Sequence, residues 1–107
     1  KRIGKSMALE FIKNGWIVIG CARNKQIMND MNKCYHHCLF SALDVTNYND
    51  VKSWVNNIIK IYGVPDIIVN NAAILYKGNL FENKDITEYR KLININLVGC
   101  INVLHCF

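Results

Sequence analysis

Ile3, Met7, Ala8, Phe11 and Ile12 recur at helical spacing, and Asn14-Gly15 supplies a stop, so residues 3–14 are expected to form a helix. A short buried strand over 16–20 follows. Residues 24–33 read as a second helix and 39–43 as another strand. Asn47 is placed to cap a third helix, with Asp50 three residues on supporting the cap in the manner of a capping box. Val51, Trp54, Val55, Ile58, Ile59 and Tyr62 then form one apolar stripe, which Gly63 and Pro65 end. Ile67, Ile68 and Val69 have no polar alternation, which predicts a strand buried on both faces, as inside a parallel sheet. From 85 to 106 the spacing is ambiguous. Ile93, Ile95 and Leu97 alternate, yet Ile86, Tyr89, Ile93, Leu97, Ile101 and Leu104 share a helical stripe. Some length without a turn signal favours helix, despite the cost of about 1 kcal/mol for Gly99 relative to alanine. The order α-β-α-β-α-β-α means parallel strands with crossover helices.

Composition narrows this reading. The 107 residues are 51% apolar and 20% charged, an ordinary globular balance for one domain or part of one. The chain begins at Lys1 and ends in the apolar run Leu104-His105-Cys106-Phe107, and we expect it to be a fragment. The net charge of +5 comes from scattered lysines, without the runs or basic–aromatic interleaving of a nucleic-acid face. A modest basic excess also suits an anionic dinucleotide. Five cysteines, an odd count with no Cys-x-x-Cys pair, read as reduced thiols, and an intracellular, cytoplasmic protein is expected. No apolar run is long enough to span a membrane. In Cys34-Tyr35-His36-His37-Cys38 all four potential ligands crowd into five residues with no second pair elsewhere, so no metal site is expected.

The chemistry-bearing stretch is Asp66-Ile67-Ile68-Val69-Asn70-Asn71-Ala72-Ala73. It puts two side-chain amides and two small residues at the carboxyl end of a strand, the edge at which open α/β sheets bind ligands. This octet resembles the Asn-Asn-Ala-Gly signature of the short-chain dehydrogenase/reductase family, with Ala73 where glycine is usual. Four further features fall in the family's order and spacing: Gly4, Cys21-Ala22-Arg23, Asp44-Val45 and Asn96. Among subgroups, Val18-Ile19-Gly20-Cys21-Ala22-Arg23 resembles the insect farnesol dehydrogenase-like and dehydrogenase/reductase member 11-like enzymes.

The resemblance implies a Rossmann-type doubly wound parallel sheet. It would be incomplete, lacking the family's first strand and its carboxyl-terminal half, so that residues 1–107 are a partial NAD(P)-binding domain. Arg2, Ile3 and Gly4 would be the tail of the family's glycine-rich loop, near the phosphates at a helix amino terminus. Arg2 takes the middle glycine position, as in pteridine-reductase-like members. An acid after the second strand would bind the ribose 2′-hydroxyl of NAD, whereas Arg23 suits the 2′-phosphate, so NADP is expected over NAD. Asp44 and the Val45 backbone would meet the adenine, and Asn70, Asn71, Ala72 and Ala73 would also line the cofactor. Asn96 corresponds to the helix asparagine of the catalytic tetrad, which helps hold a water on the proton path. Asn94 is a rival for that place, but Gly99 three residues on favours Asn96. The serine, tyrosine and lysine of the tetrad would come after Phe107. Tyr48 and Lys52 match the Tyr-x-x-x-Lys spacing but stand before the asparagine pair, on the wrong helix.

The complete protein would then move a hydride between NADP(H) and a small-molecule alcohol or carbonyl substrate, as a homo-oligomer. The fragment alone, lacking the proton donor, is expected to be inactive. Two alternatives stand beside this: a non-catalytic nucleotide-binding or dimerisation fragment of the same family, and a flavodoxin-like flavin-binding module.

Overall fold

The computed structural model describes residues 2–71 and 86–107, which form a small α/β structure of two compact units, Lys1–Asp44 and Val45–Phe107.

In the first unit, α1 (Arg2–Lys13) leads to β1 (Ile19–Ala22), α2 (Lys25–Cys34) and β2 (Leu39–Ala42). Gly15, at φ +87°, turns the chain out of α1 in a conformation that a side chain would strain. Asn24 caps α2 by accepting from the Ile27 N–H at 3.0 Å. The strands pair in parallel, Ile19 opposite Leu39 and Ala22 opposite Ala42. The predicted strand over 16–20 therefore starts later than expected. Trp16 and Ile17 are exposed, and the Trp16 ring is spent on an edge-to-face contact with Phe11, centroids 5.6 Å apart, rather than on the sheet. Met28 and Met31 of α2 meet Cys38 and Phe40 in the core, with Leu9, Ile12, Val18, Ala22 and Tyr35 around them.

Asn32 of α2 finishes the outer side of the sheet. Its amide accepts from the Phe40 N–H at 2.8 Å and donates to the Phe40 carbonyl at 2.7 Å. Leu39 and Leu43 donate instead to Val18 and Ala22, so alternate residues of β2 face β1 and Phe40 turns its peptide groups the other way. One side chain thus takes the place of a neighbouring strand.

The second unit holds α3 (Tyr48–Tyr62), α4 (Ile86–Ile93), a π-helical stretch (Asn94–Val98) and α5 (Gly99–Cys106), the last three continuous. Asn47 caps α3 through the Asp50 N–H at 3.1 Å, and Gly63, at φ +84°, ends it. Three positions of the predicted stripe carry the core: Val51 and Val55 are 0% exposed and Ile58 1%. They pack with α5, whose buried positions are Gly99, Asn102 and Val103.

One expectation is corrected here. Residues 67–70 form no strand, and Ile67, Ile68 and Val69 are 53%, 38% and 51% exposed rather than buried. A strand exists only through its pairing, and the described residues of this unit contain no other strand to pair with. The 85–106 segment is helical as expected, and its apolar stripe is exposed. Ile86, Ile93, Leu97, Ile101 and Leu104 are all exposed. Among the described residues, no helix is long and apolar enough to cross a membrane.

Candidate functional site

Parallel pairing brings the ends of β1 and β2 to one edge of the sheet. Ala22 lies opposite Ala42, and the Leu43 N–H still donates to the Ala22 carbonyl at 2.9 Å. Beyond them come Arg23, directly after β1, and Asp44, two residues after β2, both exposed. Adjacent strands are about 4.8 Å apart, so a guanidinium and a carboxylate leave the same sheet edge on neighbouring chains. Asp44 has an interaction partner in the structure.

At the start of this unit, Arg2, Ile3 and Gly4 form the first turn of α1, with Ile3 exposed and Gly4 half-buried. No acid stands in that turn, leaving the positive end of the helix dipole without an internal counter-charge. On β1, burial pushes the Cys21 thiol up from an ordinary 9.0 to about 11, which keeps it neutral and unreactive. Cys34 is exposed on α2. Cys38 is buried, its sulfur 3.4 Å from the Val18 N–H that donates to it, so the two cysteines around the histidine pair diverge.

In the second unit, Val45 is buried and held from two sides by α5. The Asn102 side-chain amide donates to the Val45 carbonyl at 2.9 Å. Gly99, one turn earlier, lies so near that a Cβ there would meet Val45 Cγ2 at 2.6 Å. Asn96 sits half-buried inside the π-helical stretch and has an interaction partner, whereas Asn94 is exposed. The wider π turn is closed by the Gly99 N–H donating to the Asn94 carbonyl. Insertions of this kind inside α-helices are frequent at functional sites. Asn70 is exposed and Asn71 half-buried in irregular chain after α3, while Ala72 and Ala73 lie outside the described residues. Tyr48 begins α3 with its ring tilted against His105, centroids 5.9 Å apart, and Lys52 is exposed one turn on.

Asn102 is the residue that pattern reading passes over. Gly99, Asn102, Val103 and Cys106 fall at i, i+3, i+4 and i+7, a helical face. It is marked by small and polar residues, and a hydrophobic count ranks it below the neighbouring isoleucines and leucines.

Known proteins share both sequence and fold with this chain. The short chain dehydrogenase family model matches residues 1–107. An NADPH-dependent pterin aldehyde reductase of Arabidopsis thaliana is 33% identical over 111 residues, covering 100% of this chain and 46% of the relative. A mitochondrial borneol dehydrogenase of Lavandula x intermedia is 32% identical over 105 residues, covering 91% of this chain and 38% of its own. Among solved structures, ElxO with NADP bound superposes with a TM-score of 0.87 at 31% identity, over 97% of this chain and 44% of ElxO. The chain thus spans less than half the length of these relatives. These likenesses leave the flavodoxin-like alternative without support. A parallel β1–β2 pair with crossover helix α2, matched in sequence from end to end, places the chain in the short-chain dehydrogenase/reductase family, as part of its Rossmann fold.

Proposed function

We propose that the protein carrying this chain is an NADP-dependent oxidoreductase acting on a small-molecule alcohol or carbonyl, and that residues 1–107 belong to its cofactor-binding domain. The observation that carries this reading is the departure of Arg23 and Asp44 from adjacent strand ends at one sheet edge. The donor set fits the nucleotide. Arg23 offers a planar cation for a 2′-phosphate, and no acid stands beside it in Gly20-Cys21-Ala22-Arg23 to take a 2′-hydroxyl instead. Asp44 offers an acceptor for the adenine amino group, and Val45 a backbone contact to the ring. Arg2, Ile3 and Gly4 bring the acid-free amino end of α1 toward the phosphates. Asn70, Asn71, Ala72 and Ala73 complete the cofactor contacts. The NADPH dependence of the Arabidopsis relative and the NADP in ElxO support the same choice.

The bound nucleotide supplies the hydride chemistry. Of the residues that handle the proton, this chain provides Asn96, which holds a water on the path, so residues 1–107 alone turn over no substrate. The exposed row Ile86, Ile93, Leu97, Ile101 and Leu104 favours a further role in self-association of the whole protein, which we place in the cytoplasm.

The test is cofactor binding to the full-length protein. NADPH should bind more tightly than NADH, and Arg23→Ala should raise the Kd for NADPH about 10-fold while leaving NADH unchanged. Equal affinity for the two nucleotides in the wild-type protein would sink the assignment.

A further inference from the structure

Val45 is held by α5 at two atoms and from a single helical turn. Its carbonyl accepts from the Asn102 amide at 2.9 Å, and its Cγ2 fills the space where a Cβ of Gly99 would stand. Asn102 is only 9% exposed, among Val51, Val55, Ile58 and Val103 in a core otherwise apolar. Burying an amide there is costly unless it is bonded, and apolar residues would pack the same face more cheaply. The bond therefore does something that packing alone does not. It fixes the peptide after Val45, and Gly99 fixes the Val45 side chain. With these two holds, a residue in a turn between β2 and α3 loses its conformational freedom before any ligand arrives. Ordering a turn in advance removes that entropy from the cost of binding.

We propose that Asn102 is a positioning residue for nucleotide binding: through the Val45 carbonyl it pre-orders the turn whose backbone receives the adenine. The inference rests on the reading above that Asp44 and Val45 meet the adenine. The residue touches no cofactor itself. Its effect is on the fraction of molecules in which the turn is ready to bind, and the apparent Kd is the intrinsic Kd divided by that fraction.

The experiment uses the full-length protein and 2′,5′-ADP, which carries the adenine and the 2′-phosphate but no nicotinamide. Asn102→Ala should raise the Kd of 2′,5′-ADP and of NADPH by the same factor, about 10-fold, with kcat at saturating NADPH within about 2-fold of wild type. Val103→Ala, which loosens the same helix face without touching the Val45 carbonyl, should leave both affinities unchanged. Equal weakening by the two variants would reduce Asn102 to a packing residue and overturn the proposal. Wild-type affinity in Asn102→Ala would do the same, provided that Asp44→Ala weakens 2′,5′-ADP. If Asp44→Ala has no effect either, it is the adenine assignment that fails. Should Asn102→Ala not fold, the side-chain amide resonance of Asn102 in the ¹⁵N-labelled wild-type protein gives the answer. Its N–H protons should already be protected from solvent exchange in the ligand-free protein, and protons that exchange freely until 2′,5′-ADP binds overturn the inference.

Discussion

Gly99 and Val45 are in contact so close that the glycine cannot carry a side chain: a Cβ would stand 2.6 Å from Val45 Cγ2 and 3.4 Å from its Cβ. Gly99 has ordinary right-handed helical angles, φ −59° and ψ −44°, so its backbone makes no demand for glycine. The demand comes from Val45, which as a β-branched residue has only χ1 with which to move away. In an open helix Gly→Ala is worth about 1 kcal/mol of added stability. Here the sign should reverse. Gly99→Ala is expected to destabilise by about 1–3 kcal/mol, and Gly99→Ala with Val45→Ala to recover much of that loss, both measured by denaturant unfolding.

The Asn32 side chain makes two hydrogen bonds to one residue, Phe40, with good geometry at both. Asn32→Ala should cost about 1–3 kcal/mol, the sum of two net hydrogen bonds. Asn32→Asp keeps the acceptor for the Phe40 N–H but turns a second oxygen toward the Phe40 carbonyl. It should be no more stable than the alanine variant, despite its near-identical shape. Thermal unfolding of the two side by side checks the order.

Cap loss gives a smaller, local effect. Asn47 accepts from the Asp50 N–H at the start of α3, on the exposed side of the chain. Asn47→Ala should destabilise by about 1 kcal/mol. Hydrogen exchange should quicken over the first turn of α3 and leave its Val55–Ile58 turn protected until global unfolding.

Cys21 makes stability depend on alkaline pH. Its thiol is raised to about 11 by burial, while in the unfolded chain it ionises near 9.0. Below pH 9 both states hold the proton and the group contributes no slope. Between about 9 and 11 the unfolded chain releases the proton first, so stability falls as pH rises through that window. Cys21→Ser or Cys21→Ala should remove this part of the alkaline slope. At pH 8, iodoacetamide should label exposed Cys34 readily and Cys21 about 100-fold more slowly than a free thiol, as the depleted thiolate implies. Peptide mapping reads both.

What was legible in the sequence is mainly what is local. Asn24, Asn47, Gly15 and Gly63 announce helix ends because a cap or a left-handed residue acts within one turn of itself, and the helices begin and end where these residues stand. Arg23 and Asp44 could be placed at strand ends for a similar reason: each follows a short apolar run directly. Residues 67–69 depart from the expected strand because three apolar residues report a preference for burial, while a strand also needs a partner that no local pattern encodes. The stripe from Ile86 to Leu104 is legible as one face of a helix, but no local pattern says what, if anything, covers that face. A uniform period of 3.6 also gives no sign of the π turn at Asn94–Val98. Within its own helix Gly99 reads only as a weakening residue, and Asn102 gives no signal. Both owe their meaning to Val45, a contact 57 positions away in the case of Asn102.

The amide clamp on Phe40 also gives the sheet a direction of growth. Lined up side by side, exposed strands recruit one another, which is how folded proteins come to aggregate through their edges. With Asn32 occupying both outward groups of Phe40, β2 offers an incoming strand no complete ladder, and β1 becomes the side on which a further strand can add. A single asparagine on a helix thus acts as a terminator for the sheet beside it. Its loss would be felt as lowered stability and also as a second sticky edge, and Asn32→Ala protein should be the variant most prone to form thioflavin-positive aggregates at high concentration.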